Sequence, residues 1–116
     1  MVRGIRGAVT AAGNNRADIL AATGQLLARM IEQNGVALRD IAAVHFSATP
    51  DLNAAFPARA AREMGWQTVP LFCHVEIDVP ESLPQCIRVL MLVNTELPPE
   101  EIKHIYLGET YRLREL

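Results

Sequence analysis

Four residues in this sequence have types and positions that could do chemistry: Arg6, Glu76, Arg88 and Tyr106, each on a segment that reads as a separate β-strand. Arg88 is the most informative. It interrupts the most apolar run of the chain, Cys86-Ile87-Arg88-Val89-Leu90-Met91-Leu92-Val93. A guanidinium is always charged and is rarely buried without a partner. The period of a strand puts Arg88 with Cys86, Leu90 and Leu92, and Ile87, Val89, Met91 and Val93 on the other face. Both faces are apolar, so the strand is expected to be central and Arg88 to point into low dielectric. An anion must meet it there. Glu76 could be its permanent partner, since buried ion pairs are common structural devices. Alternatively, two guanidiniums against one carboxylate leave a surplus of positive charge for a dianionic ligand to neutralise. The surplus arginine favours a binding site.

Other candidates are weaker. Arg59 and Arg62 share a face of a short helix, which reads first as a solvated face and second as the mouth of an anion pocket. Cys73 is followed by His74, but neighbours on a strand point to opposite faces, so His74 is badly placed to serve as its base. A buried, unreactive thiol is expected. His45, His74 and His104 stand alone on separate strands, without C-x-x-C or H-E-x-x-H spacing, so neither a metal nor a cofactor is expected. Arg3-Gly4-Ile5-Arg6-Gly7 lacks the strand–loop–helix context of a phosphate loop.

The elements that must position these groups follow from periodicity and punctuation. Val2 to Thr10 reads as a strand, with Gly4, Arg6 and Ala8 on one face and Ile5, Gly7 and Val9 on the other. Asn15 to Asn34 reads as the one long helix. Asn15 suits the N-cap, Asp18 the first turn and Gly35 the C′ position. Ile19, Leu20, Thr23, Leu26, Leu27, Met30 and Ile31 form its buried stripe. Ile41 to Thr49 gives a helical turn and then a strand, with Val44, Phe46 and Ala48 alternating against His45, Ser47 and Thr49. Pro57 to Met64 is a short helix opened by proline at N1. Thr68 to Val79 and Gln85 to Thr95 read as long strands, residues 98–101 as a helical turn and Lys103 to Leu107 as a last strand. Thr110 to Leu116 is a short tail that is expected to be mobile.

The expected architecture is α+β: a mixed β-sheet of four or five strands covered by one long helix, in a single domain over residues 1–116. One helix covers one face of such a sheet. The other face is apolar too, so a symmetric oligomer with sheet faces packed together is expected, with Arg6 and Arg88 near a subunit interface.

Bulk properties narrow the classes. A chain of 116 residues with a net charge of −2 suits one hydrophobic core and carries no basic run for nucleic acid. No apolar run is long enough to span a bilayer. The N-terminus lacks the apolar segment of a signal peptide. The two cysteines are therefore expected to be reduced thiols in the cytoplasm.

Five blocks occur in order: Arg3-Gly4-Ile5-Arg6-Gly7-Ala8, Ser47-Ala48-Thr49-Pro50-Asp51-Leu52, Ala55-Phe56-Pro57-Ala58, Cys86-Ile87-Arg88-Val89 and His104-Ile105-Tyr106-Leu107. Together they resemble the small monofunctional chorismate mutases of the trimeric, β-rich class, from Val2 to about Leu113. The resemblance implies a homotrimer with a pseudo-α/β-barrel core and active sites at subunit interfaces. It implies conversion of chorismate to prephenate, a Claisen rearrangement on the route to phenylalanine and tyrosine. Carried over by position, Arg88 would donate to the ether oxygen and a carboxylate, Arg6 and Tyr106 would hold carboxylate, and Glu76 with the Cys73 backbone would meet the ring hydroxyl. Phe56, Ala58, Arg59, Arg62, Leu71, Phe72 and Leu113 would line the pocket or its entrance, partly from the neighbouring subunit. Strand parity turns Cys73 and Glu76 to opposite faces, so a bulge or a second subunit must bring both to one ligand.

These residues suit this reaction, because a pericyclic rearrangement needs no nucleophile, acid, base, metal or cofactor. The alternative is a trimeric protein that binds small carboxylates with the same interface arginines, as in the imine deaminases.

Overall fold

Apolar alternation and a few side-chain stitches build a mixed sheet whose middle strand carries Arg88. The computed structural model describes residues 1–115. Its elements are β1 (Val2–Thr10), α1 (Arg16–Asn34), β2 (Ile41–Ala48), α2 (Ala58–Glu63), β3 (Leu71–Val75), β4 (Cys86–Asn94) and β5 (Ile105–Tyr106). The five strands lie in the order β3-β2-β4-β1-β5. Central β4 runs antiparallel to β1 and β2, while the outer strands β3 and β5 pair parallel with β2 and β1.

Helix α1 begins and ends as its sequence predicts. The Asn15 side chain accepts the Asp18 amide at 2.9 Å, and Gly35 closes the last turn at φ 60°. Ile19, Thr23, Leu26, Leu27 and Met30 are fully buried; Leu20 and Ile31 are half-buried at the rim of the stripe. The stripe packs on Ile5, Val44, Phe46, Ile87, Met91 and Val93 of the sheet. Each such side chain contributes roughly 1.5–3 kcal/mol by leaving water. Gly7 lets the helix come this close: a Cβ there would stand 2.5 Å from Met30 Sδ.

The register of β2 on β4 is fixed at one end by Thr49. Its amide donates to Cys86 O and its hydroxyl accepts the Cys86 amide, both at 3.0 Å. Asp51 accepts the Gln85 amide at 2.9 Å from the same turn. At the other end, a register shift between Ile41 and Ala43 absorbs one residue.

Several expectations need correction. β4 is central, but Arg88 does not enter low dielectric within the chain: its side chain is 44% exposed. Both helices lie against the Ile87–Val93 side, so the face bearing Arg88 and Leu90 is open. The strand expected over Thr68 to Val79 is confined to Leu71–Val75. Beyond it the apolar alternation continues through Ile77 and Val79, but β2 has already ended at Ala48 and Pro50, and both side chains are exposed. The helical turn at the head of β2 comes earlier, at Leu38–Asp40, and β5 is only Ile105–Tyr106. The tail is not loose. It forms a 3-10 turn, Gly108–Glu115, in which Thr110 is fully buried and donates to Leu107 O at 2.7 Å. The last position of that tail, Leu116, lies outside the described residues. No described helix is long and apolar enough to cross a membrane.

Candidate active site

Cross-strand register assembles the site on the open face. Arg88 stands opposite Ser47 on β2 and opposite Ala8 on β1; Ser47 is in turn level with His74, and Ala8 with Tyr106. One row therefore reads His74, Ser47, Arg88, Ala8, Tyr106 across all five strands. The next row carries Phe72, His45, Leu90 and Arg6. Small residues make the room: Ala8 between Arg88 and Tyr106, and Gly4 two residues before Arg6.

A cleft of about 540 Å³ opens over these rows, lined by Arg6, Arg88, Tyr106, His45, Ser47 and Leu113 among others. An adjoining depression of about 450 Å³ shares Arg88 and Leu113 and adds Glu76 with the segment that follows it. Four expected residues and Leu113 thus come together in one chain. Leu113 reaches the site because the 3-10 turn anchored by Thr110 carries it back over β1.

The charges are unequal. Arg88 Nε lies 3.5 Å from Glu76 Oε2, an ion contact rather than a close hydrogen bond. Glu76 itself is held firmly: its amide donates to Ala48 O at 2.9 Å, Ser47 Oγ donates to Oε2 at 2.8 Å, and the Ile77 amide donates to Oε1 at 3.1 Å. Among the described residues the Arg6 guanidinium has no ion pair. Its backbone amide donates to His104 Nδ1 at 2.9 Å, which extends the short β1–β5 ladder by one contact. One guanidinium thus has a carboxylate partner and the other has none among the described residues, a surplus of positive charge suited to an anion.

The remaining expected residues gather elsewhere. Phe56, Ala58, Arg59, Arg62, Leu71, Phe72 and Cys73 line a separate depression of about 430 Å³ between α2 and β3. Cys73 faces α2, as its parity requires, and no bulge brings it to Glu76 within one chain. Burial pushes the Cys73 thiol up, partly offset by the Ala58 amide and the Arg62 charge. A raised thiol is a poor nucleophile at neutral pH. Arg59 is tied to Glu63 at 3.5 Å, and Glu63 also pairs with Arg16 at 3.1 Å.

Three cleft residues escaped the sequence reading. Ser47 shares the parity of His45 and so lay on the Arg88 face, but only the three-strand register reveals its carboxylate partner. His45 and His74 do not stand alone: their rings stack with Nδ1 and Nε2 3.3 Å apart, and Phe72 packs against His74.

Comparison with known proteins agrees with this geometry. The chain matches the family described as chorismate mutase type I over residues 2–115. It is 48% identical to chorismate mutase AroH of Bacillus subtilis (strain 168) over 98% of this chain and 91% of that protein. It is 50% identical to chorismate mutase AroH of Thermus thermophilus, over 98% of this chain and 94% of the relative. The solved structure of a chorismate mutase from Clostridium thermocellum superposes with a TM-score of 0.92 at 50% identity, covering 94% of this chain and 97% of that one. With an open sheet face carrying two arginines against one carboxylate, and likeness along nearly its whole length, the chain belongs to the type I chorismate mutases.

Proposed function

We propose that this chain converts chorismate to prephenate at the open-face cleft, as a homotrimer in which the α2–β3 depression of a neighbouring subunit completes each site. The observation that carries the reading is the surplus guanidinium: Arg6 and Arg88 line one cleft, only Arg88 contacts a carboxylate among the described residues, and chorismate is a dianion. The names of its relatives point to the same substrate. They lend no support to the carboxylate-binding or imine deaminase alternative.

In the rearrangement one C–O bond breaks as one C–C bond forms within the same molecule, and nothing is added or lost. The protein must hold the folded, reactive conformer and stabilise charge on the departing ether oxygen. Arg88 donates to that oxygen and to a carboxylate. Its ion contact with Glu76 uses Nε, so the terminal fork stays outside that contact. Arg6 and Tyr106 hold carboxylate, and Glu76 accepts the ring hydroxyl. Leu113 closes the cleft from above. Phe56, Ala58, Arg62, Phe72 and the backbone at Cys73 reach the substrate from the next subunit, which answers the opposite parity of Cys73 and Glu76. The trimer also covers Leu90 and Phe72, which are 40% and 61% exposed in the single chain. We place the enzyme in the cytoplasm, where its two free thiols stay reduced.

The test is loss of chorismate absorbance on adding purified protein, with prephenate identified as product and Arg88→Ala run alongside. Rapid loss with the wild type and collapse in the variant are expected. No turnover at high protein concentration would overturn the reading.

A further inference from the structure

We propose that Ser47 is a positioning residue for catalysis: it holds the Glu76 carboxylate against Arg88 and leaves Oε1 as the oxygen that receives the substrate. This rests on the reading of Glu76 and Arg88 as substrate contacts.

Glu76 stands in an awkward place for a group that must be precise. It is the first residue beyond β3, and its last ladder contact is its amide on Ala48 O. The segment that follows, from Ile77 to Glu81, is exposed residue after residue, with Ile77 at 77%. A carboxylate on such a segment has several rotamers open to it, and fixing it in one costs side-chain entropy. Its side chain is 24% exposed, so partial burial narrows these choices without orienting the two oxygens, and the Arg88 contact at 3.5 Å is too long to orient them. The short contacts are Ser47 Oγ to Oε2 at 2.8 Å and the Ile77 amide to Oε1 at 3.1 Å. The second moves with the segment itself. Among the described residues, Ser47 gives the side-chain hydrogen bond that ties the carboxylate to the rigid sheet.

The chemistry of the hydroxyl sharpens the assignment. A serine has one proton to give, and here it goes to Oε2, the oxygen that also faces Arg88. Oε2 is thereby occupied by a donor and a cation. Oε1 accepts one backbone amide and keeps acceptor capacity, so it is the oxygen for a substrate hydroxyl. Ser47 stands directly opposite Arg88 on the antiparallel β2–β4 pair, so a single register sets both partners of Oε2.

The experiment compares kcat, KM and thermal midpoint for Ser47→Ala and Ser47→Thr, each alone and with Glu76→Ala. Ser47→Ala is expected to lower kcat by about 10- to 100-fold, the effect of losing a hydrogen bond to a charged group, with little change in thermal midpoint. Ser47→Thr keeps the donor and is expected to stay within about threefold of wild type. In the Glu76→Ala background, the Ser47→Ala effect is expected to fall below about twofold, because the group it positions is gone. Equal losses in both backgrounds would overturn the proposal, as would full activity of Ser47→Ala beside a crippled Glu76→Ala. Full activity of Glu76→Ala would instead overturn the reading of Glu76 itself. Ser47→Cys, similar in size but a weak donor, replaces the alanine variant if that one fails to fold.

Discussion

Arg6 and Arg88 stand diagonally across the β1–β4 pair, Arg6 opposite Leu90 and Arg88 opposite Ala8. Diagonal neighbours on one face are roughly 7–8 Å apart, within a Debye length, so the two like charges repel although both side chains are exposed. Glu76 relieves Arg88 and leaves Arg6 without an acidic partner among the described residues. A small dicarboxylate that bridges the two arginines relieves both. Saturating prephenate or a stable dicarboxylate analogue is therefore expected to raise the thermal midpoint, with roughly 2.7 kcal/mol of stabilisation at a hundredfold excess over Kd. A monocarboxylate at equal ionic strength is expected to do much less, and Arg6→Ala to lose most of the shift. Equal shifts with the mono- and dicarboxylate would show that the two arginines do not act together.

The exposure of Arg88 separates its catalytic from its structural contribution. A long, half-exposed ion contact is worth about 0–1 kcal/mol to stability. A donor aimed at charge that develops in the transition state is worth about 3–4 kcal/mol, or roughly 10²–10³ in rate. Arg88→Lys keeps the charge and loses the planar fork. It is expected to drop kcat by about that factor while urea unfolding hardly moves. Arg88→Met tests the opposite idea, that the residue only balances Glu76. Full activity in the methionine variant, or marked unfolding in the lysine variant, would remove Arg88 from the chemistry.

The layout of this site was legible in the sequence wherever a periodic pattern carried it. The parity of Arg88, the stripe of α1 with its Asn15 and Gly35 ends, and the surplus of arginine all follow from local spacing. Three features depend on pairing between distant segments and left no such mark. Arg88 is exposed because the single chain has nothing to cover the far face of its sheet. The strand expected through Ile77 and Val79 stops early because β2 offers no backbone beyond Pro50, although the side-chain alternation runs on. Thr110 reads as a polar tail residue, yet it is buried because Ala8 O and Leu107 O accept its hydroxyl. The separation of Cys73 from Glu76 was visible as opposite parity.

Activity and stability are expected to part company at high pH. No group in the proposed chemistry gains or loses a proton, so kcat is expected to stay nearly flat between roughly pH 6 and 9. Stability behaves otherwise at Cys86. Burial pushes this thiol above its ordinary value of 9.0, with the Arg88 guanidinium pulling the other way. Below that value both folded and unfolded chains keep the proton, and the thiol's full contribution is present. As pH rises past it, the unfolded chain ionises first, and stability falls until the folded thiol ionises too. The urea midpoint is expected to drop between pH 8 and 10, and to drop less in Cys86→Ala. An equal drop in the variant would assign the loss to other groups.

The division of the expected residues between two depressions leads to a sharper test of the assembly. Arg88 and Arg62 belong to different clefts of one chain. If one cleft meets the other only across a subunit interface, then Arg88→Ala and Arg62→Ala each disable every site of their own trimer, but by damage to opposite halves. Unfolding the two variants together and refolding them at equal concentration makes mixed trimers. An intact site forms wherever the Arg88 half of the Arg62 variant meets the Arg62 half of the Arg88 variant, in the correct order around the ring. Random assembly gives that arrangement at about a quarter of interfaces, so about a quarter of wild-type activity is expected from two nearly inactive proteins. Sedimentation of the refolded mixture checks that trimers have formed. A mixture that forms trimers but stays as inactive as its parents would mean that both arginines serve a site within one chain, or that Arg62 serves none.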